Sequence, residues 1–175
     1  RLDDNPSLTK ATENSELIPI YIFDENANID FHQGEASLTW LYESLKLLNK
    51  SLENRLLIFK GDPLKILIEL KNNNNVSGIY WNRNYAPWEI KRDTIIKQKI
   101  KKTGIECETF NGNLLWEPWE ILKKDGTPYK VFTPFYRKGC LGSSPPRSPL
   151  PKPPKINFKK DVVKNNEFDI EKTNA

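Results

Sequence analysis

No methionine occurs anywhere in the sequence, and histidine occurs once, at position 32. A lone histidine in a polar stretch cannot be paired by sequence with any nucleophile, and no G-x-S-x-G elbow supplies one. The dinucleotide fingerprint G-x-G-x-x-G and the Walker-type lysine loop are both missing, so a nucleotide-binding electron-transfer α/β protein stands only as a rival reading without its phosphate-loop signature. The two cysteines, Cys107 and Cys140, form neither a disulfide framework nor a metal-ligand spacing, and a reducing cytoplasm is the default location. No apolar run reaches the length of a membrane span, and no signal-peptide pattern opens the chain. The opening Arg1-Leu-Asp-Asp-Asn-Pro6 reads as entry into a helix, so the segment is expected to be a piece of a longer protein.

What is present is one domain's worth of chain, 175 residues with 37% apolar and 29% charged side chains. The net charge of +4 is unevenly placed. Residues 133–175 carry nine Lys and Arg against four Asp and Glu, together with seven of the thirteen prolines, whereas residues 1–132 are nearly neutral. A cluster of basic residues on one predicted helix (Lys91, Arg92, Lys97, Lys99, Lys101, Lys102) reads as a solvated face or as a phosphate track.

Asn5-Pro6 places a capping residue before a proline at the first helical position, which predicts a short helix from Pro6. Residues 17–23 are almost continuously apolar and predict a buried strand, with Pro19 at its entrance because proline cannot donate to the ladder. Leu38, Leu41, Leu45, Leu48 and Leu52 repeat at helical spacing and predict a helix over residues 36–52 whose stripe faces the core. Strands are expected at residues 56–60, 79–81 and 105–110. Asp62-Pro63 and Pro87 open the helices between them, and Gly104 ends the second. Asp125-Gly126 carries hairpin-turn chemistry between residues 119–122 and 129–132. Residues 143–154 are Pro/Ser-rich and predict an extended linker with open amides at Arg147, Ser148 and Leu150. Strands alternating with helices imply βαβ units, hence a Rossmann-like, doubly wound parallel sheet.

In such sheets ligands bind beyond the carboxyl ends of the strands. The turn after the strand at Ile79 is rich in aromatic and amide groups, namely Tyr80, Trp81, Asn82, Asn84, Tyr85 and Trp88, and Glu89 lies in the first turn of the next helix. Aromatic faces with amides and a carboxylate suit a flat conjugated ligand. Tyr80 and Trp81 read as core. Asn82, Tyr85 and Glu89 read equally as ligand contacts or as structure, with Glu89 complementing the helix dipole in the second case. His32 reads as a solvated loop residue or as the border of a ligand.

Five stretches in order carry a resemblance. They are Arg1-Leu-Asp-Asp-Asn-Pro-Ser-Leu8, Ala36-Ser-Leu-Thr-Trp-Leu-Tyr-Glu-Ser-Leu45, Lys60-Gly-Asp-Pro63, Tyr80-Trp-Asn-Arg83 through Trp88-Glu-Ile-Lys-Arg-Asp93, and Tyr129-Lys-Val-Phe-Thr-Pro-Phe-Tyr-Arg137. Together they resemble the amino-terminal α/β domain of DNA photolyases and cryptochromes, in the manner of a class I-like deoxyribodipyrimidine photolyase. The resemblance implies an antenna domain over residues 1–132. Residues 133–175 would then lead, as a short helical start and a basic linker, toward an all-helical domain outside this segment. That domain binds FAD and takes a pyrimidine dimer out of UV-damaged DNA. The resemblance also implies a first strand ahead of Arg1 in mid-sheet, so that this segment alone has a gap between two strand edges. Antenna chromophores of the family are a reduced folate (methenyltetrahydrofolate) or a deazaflavin. Glu89 matches the family's folate-binding glutamate, and Trp88 stands where the neighbouring asparagine would be. The resemblance further implies a monomeric protein without membrane association.

Overall fold

The computed structural model describes residues 1–13, 16–25, 27, 34–165 and 167–169. The elements follow as α1 (Pro6–Thr12), β1 (Ile20–Asp24), α2 (Glu35–Ser51), β2 (Leu57–Gly61), α3 (Pro63–Asn74), β3 (Gly78–Asn82), α4 (Pro87–Lys101), β4 (Glu106–Phe110) and a single turn α5 (Phe132–Pro134). A π-helical turn, Phe135–Cys140, continues α5. The strands are parallel, as a βαβ chain requires. β1 pairs with β2 from Ile20↔Leu57 to Asp24↔Gly61, and β3 with β4 from Gly78↔Glu106 to Asn82↔Phe110. Pro19 stands just ahead of β1 and contributes only its carbonyl, which accepts from the Leu57 amide at 2.9 Å.

The side-chain period of two gives β1–β2 two apolar faces. Tyr21, Phe23 and Ile58 face Leu45 of α2 and Leu52 just after it, and Leu41 and Leu48 pack on the same cluster. Ile20, Ile22, Leu57 and Phe59 face Leu70 and Ile66 of α3. Leu41, Leu45, Leu48 and Leu52 of the stripe are therefore core packing, whereas Leu38 joins none of these clusters. Ile79, Trp81 and Cys107 of β3–β4 meet Ile96 and the fully buried Ile100 of α4, and Ile20, Ile22 and Leu67 join that cluster. The two strand pairs thus share one core on the α3–α4 side.

Between the pairs the ladder is interrupted. A cavity of about 420 Å3 lies there, lined by Ile18 and Ile20 on one side, by Gly78, Ile79 and Tyr80 on the other, and floored by Leu67 and Leu70. This is where the resemblance sets one more strand.

The helix starts match the capping chemistry. Asn5 accepts from Leu8 N–H at 3.1 Å ahead of Pro6. Asp62 accepts from Leu64 N–H at 2.9 Å ahead of Pro63. The expected hairpin at Asp125-Gly126 is corrected to an isolated turn. Lys123 N–H donates to the Thr127 carbonyl, and Asp125 accepts from Thr127, but no strands flank it. Pro118 and Pro128 lack the N–H groups that a ladder would use.

Residues 143–154 are extended but not free. Leu150 exchanges backbone and carboxylate bonds with Asp4: Asp4 N–H donates to the Leu150 carbonyl at 2.8 Å, and Leu150 N–H donates to Asp4 Oδ1 at 3.2 Å. The open amide expected at Leu150 is corrected accordingly. Trp116 donates to the Ser144 carbonyl at 2.9 Å.

Candidate functional site

Among the described residues no group of three or more His, Cys, Asp or Glu could hold a metal, and no helix is long and apolar enough to cross a membrane. Cys107 and Cys140 are free and buried. Burial raises the Cys107 thiol above its ordinary value, which makes it a poor nucleophile. The functional candidates therefore reduce to the carboxyl ends of β1 and β3.

Asn82 ends β3. Its Nδ2 donates to Asn5 Oδ1 at 2.8 Å, and its Oδ1 accepts from Ser7 N–H at 3.3 Å, so the amide ties α1 to the sheet. Gly112 lies so close over it that a Cβ there would overlap the Asn82 amide.

Arg83, the next residue, reaches across the connection to Glu117. Its Nε donates to Glu117 Oε1 at 2.8 Å, its Nη2 donates to the same oxygen, and Nη1 donates to the Thr109 carbonyl at 2.5 Å. The guanidinium stacks 5.7 Å from the Trp119 ring centre. Tyr85 completes the group by donating its hydroxyl to Glu117 Oε2 at 2.8 Å. Burial and then the Glu117 carboxylate raise the Tyr85 hydroxyl above its ordinary value, so it remains a donor. Glu117 is 5% exposed, and its charge is met on both oxygens.

A second network joins the two strand pairs. Asp24, the last residue of β1, accepts from Arg92 Nη1 at 3.2 Å. Arg92 also donates its Nε to Asp93 Oδ1 at 2.8 Å, and Asp93 Oδ2 accepts from Trp81 Nε1 at 3.0 Å. Burial opposes the Arg92 charge, and the two carboxylates more than offset it, so the guanidinium is held above its ordinary pKa. The same guanidinium lies 5.0 Å from the Trp88 ring centre. One face of Trp88 is therefore occupied by a cation.

Glu89 is the third residue of α4. Its Oε2 accepts from Ala86 N–H at 3.3 Å, half of a capping box, and alanine has no side-chain acceptor for the other half. Among the described residues nothing bonds to its Oε1. Asn82, Tyr85, Trp88 and Glu89 thus share one turn, and each has an intramolecular partner. His32 lies outside the described residues. Sequence reasoning did not single out Asp24 or Glu117, and it read Arg92 only as part of a basic helix face and Asp93 only as the end of a family stretch. Their signal was weak: an acid at a strand's carboxyl end, and charges inside a run that reads as a solvated helix face.

The DNA photolyase family model matches residues 1–155. The chain is similar to the deoxyribodipyrimidine photo-lyase of Agrobacterium fabrum, at 37% identity over 174 residues, covering 94% of this chain and 36% of that protein. It is also similar to cryptochrome-2 of Arabidopsis thaliana, at 31% identity over 157 residues, covering 87% and 26%. Among solved structures, a bacterial class III photolyase from Agrobacterium tumefaciens superposes with a TM-score of 0.87 at 35% identity, covering 98% of this chain and 35% of that one. The chain spans between about a quarter and about a third of the length of these relatives. With the strand order, the turn after β3 and a family match over most of its length in agreement, the chain belongs to the DNA photolyase family.

Proposed function

We propose that this chain is the antenna domain of a light-dependent DNA repair enzyme, a deoxyribodipyrimidine photolyase. Residues 1–132 form the domain proper, and residues 133–175 connect toward a helical FAD-binding domain that engages UV-damaged DNA. The observation that carries the antenna reading is Glu89 at the third position of α4, with one oxygen spent on the helix start and Oε1 left as an acceptor. A carboxylate oxygen at that place suits the amino edge of a pterin. Tyr85 and Trp88 supply aromatic surface beside it, although Arg92 takes one face of Trp88. A reduced folate fits this set, and a deazaflavin is its rival as the bound chromophore.

The test is titration of the purified chain with reduced folate and with a deazaflavin, parent against Glu89→Gln. A charge-assisted bond contributes about 1.5–3 kcal/mol, so folate affinity should fall roughly tenfold to hundredfold in the variant. If Glu89 serves the helix alone, binding stays the same and stability falls by about 0.3–1 kcal/mol.

A second reading, a cryptochrome-type photoreceptor without repair activity, is favoured by the 31% identity to a plant cryptochrome. Dimer repair in light by the complete gene product supports the photolyase reading, and its absence in a flavin-loaded preparation supports the photoreceptor.

A further inference from the structure

Beyond the Pro-rich stretch the chain turns back across the amino-terminal ends of β1 and β2, and two sets of bonds fix its course. Leu17 N–H donates to the Asn157 carbonyl at 2.7 Å, and Lys159 N–H donates to the Leu17 carbonyl at 3.1 Å. Further on, Asn74 at the end of α3, 4% exposed, grips Val163. Its Oδ1 accepts from Val163 N–H and its Nδ2 donates to the Val163 carbonyl, both at 2.7 Å. A buried amide bonded on both atoms is costly to undo, because each freed group stays buried. Lys159, Lys160 and Lys164 therefore stand on a short arc pinned near both ends.

The turn that joins α2 to β2 meets this arc. Glu53 and Asn54 both take left-handed backbone conformations, with φ of 56° and 58°. Asn49 holds the turn: its carbonyl accepts from Asn54 N–H at 2.9 Å, and its Oδ1 accepts from Leu56 N–H at 3.0 Å. Arg55 thereby joins the three lysines around a cavity of about 150 Å3, whose apolar wall is made by Leu17, Ile18, Leu57 and Val162.

The charge of this cavity is one-sided. Four of the residues around it are cations and none is acidic. Lys164 pairs with Glu167, and Lys159 has Glu16 only at 3.9 Å, beyond hydrogen-bonding distance. Among the described residues the charged groups of Arg55 and Lys160 have no partner. Like charges held around one cavity by a fixed backbone repel, and an anion between them removes that cost. Pockets for whole organic ligands run to about 300–1,000 Å3, so this smaller one suits a single headgroup-sized anion. A guanidinium fork and ammonium groups match phosphate oxygens, and the Asn54 amide adds a neutral donor on the same lining.

We propose that this cavity is a phosphate-binding site. Arg55 and Lys160 supply the main charge-assisted bonds to one phosphate group, and Lys159 and Lys164 flank it. The group belongs to a free phosphate or phosphate monoester, or to a nucleic-acid backbone, since the recognising chemistry is the same. The site lies at the amino-terminal ends of β1 and β2, away from the turn after β3, and stands whatever occupies that turn.

The experiment titrates the full chain with inorganic phosphate, against sodium chloride at equal ionic strength, and follows backbone amide shifts. Saturable shifts are expected at residues 17, 18, 54–57 and 159–164. Arg55→Gln/Lys160→Gln should weaken phosphate roughly tenfold to hundredfold. Both side chains are exposed, so the variant keeps its fold. Lys99→Gln/Lys102→Gln removes the same charge from the end of α4 and should bind phosphate as the parent does. A short undamaged DNA duplex then identifies the source. Displacement of phosphate by the duplex, with the same residues shifting, assigns a nucleic-acid backbone, and retention of phosphate in excess duplex assigns a free phosphate or monoester. Two results overturn the proposal: no saturable shift at these residues beyond that given by chloride, or equal loss of affinity in the two double variants.

Discussion

The β1–β2 pair and the β3–β4 pair solve the same problem by different means. Leu57, Ile58 and Phe59 of β2 are buried, α2 and α3 cover both faces, and Glu167 and Phe168 pair with the outer edge. No residue of β3 is fully buried, and the end of that strand is fastened by Asn82, Arg83 and the Trp81–Asp93 bond. An apolar seal tolerates any group of the right volume, whereas a polar fastening fixes direction because donors and acceptors must meet. The half that is fastened by direction is also the half that carries the candidate ligand turn. Rigid placement of Tyr85, Trp88 and Glu89 is what a binding site requires.

The contrast can be broken from either side. Leu45→Ala opens a cavity under β1–β2 and should cost about 2–5 kcal/mol, the largest effect, with exchange rising first at residues 20–24 and 57–61. Protection lost equally in β3–β4 would mean that the pairs do not separate. Arg83→Met leaves Glu117 buried without its partner. The expected loss is about 3 kcal/mol, the low end for a buried pair because the Arg83 side chain is 31% exposed. Chemical denaturation of Arg83→Met beside Arg83→Met/Glu117→Gln checks this, since the double variant should regain part of the loss. Asp62→Ala removes the cap of α3, a helix both halves share, and should cost about 1 kcal/mol without favouring either half.

The smallest effect is local and depends on pH. Arg147, then the Leu150 amide, holds the Asp4 carboxyl below its ordinary value of 3.8. A depressed carboxyl stabilises the folded form above its unfolded value, and the contribution is lost as pH falls through the folded value. The clasp between the amino-terminal turn and the Pro-rich segment should therefore be intact at neutral pH and loosen below about pH 4. Amide exchange at Leu150, followed from pH 6 to pH 3 and corrected for intrinsic rates, reads it directly. Asp4→Asn should remove the pH dependence.

Much of the fold was legible along the chain because it rests on local rules. The leucines from Leu41 to Leu52 announced α2, Asn5-Pro6 and Asp62-Pro63 announced two helix starts, and Pro19 stood at a strand entrance as its missing N–H demands. The hairpin at Asp125-Gly126 misled for an equally local reason. The turn itself forms, but Pro118 and Pro128 deny it the strands. At the candidate site, the aromatic and amide character of the turn after β3 was visible, and so was the acid at Glu89.

The sequence by itself determined the periodicities and the caps, since each depends on residues within a few positions of one another, and the order of its short motifs along the chain pointed to the family. Only the tertiary structure decided which groups share a hydrogen bond. Asn82 with Asn5, Arg83 with Glu117, Asp24 with Arg92 and Asn74 with Val163 are each separated by between 34 and 89 positions. Long-range polar pairing leaves no periodic trace, because a single donor and a single acceptor suffice and any of many polar residues could supply them. The same reason hid the return of the chain after the Pro-rich stretch, which read as part of a basic linker until the fold offered a buried amide to hold Val163 and an aromatic cluster to receive Phe168.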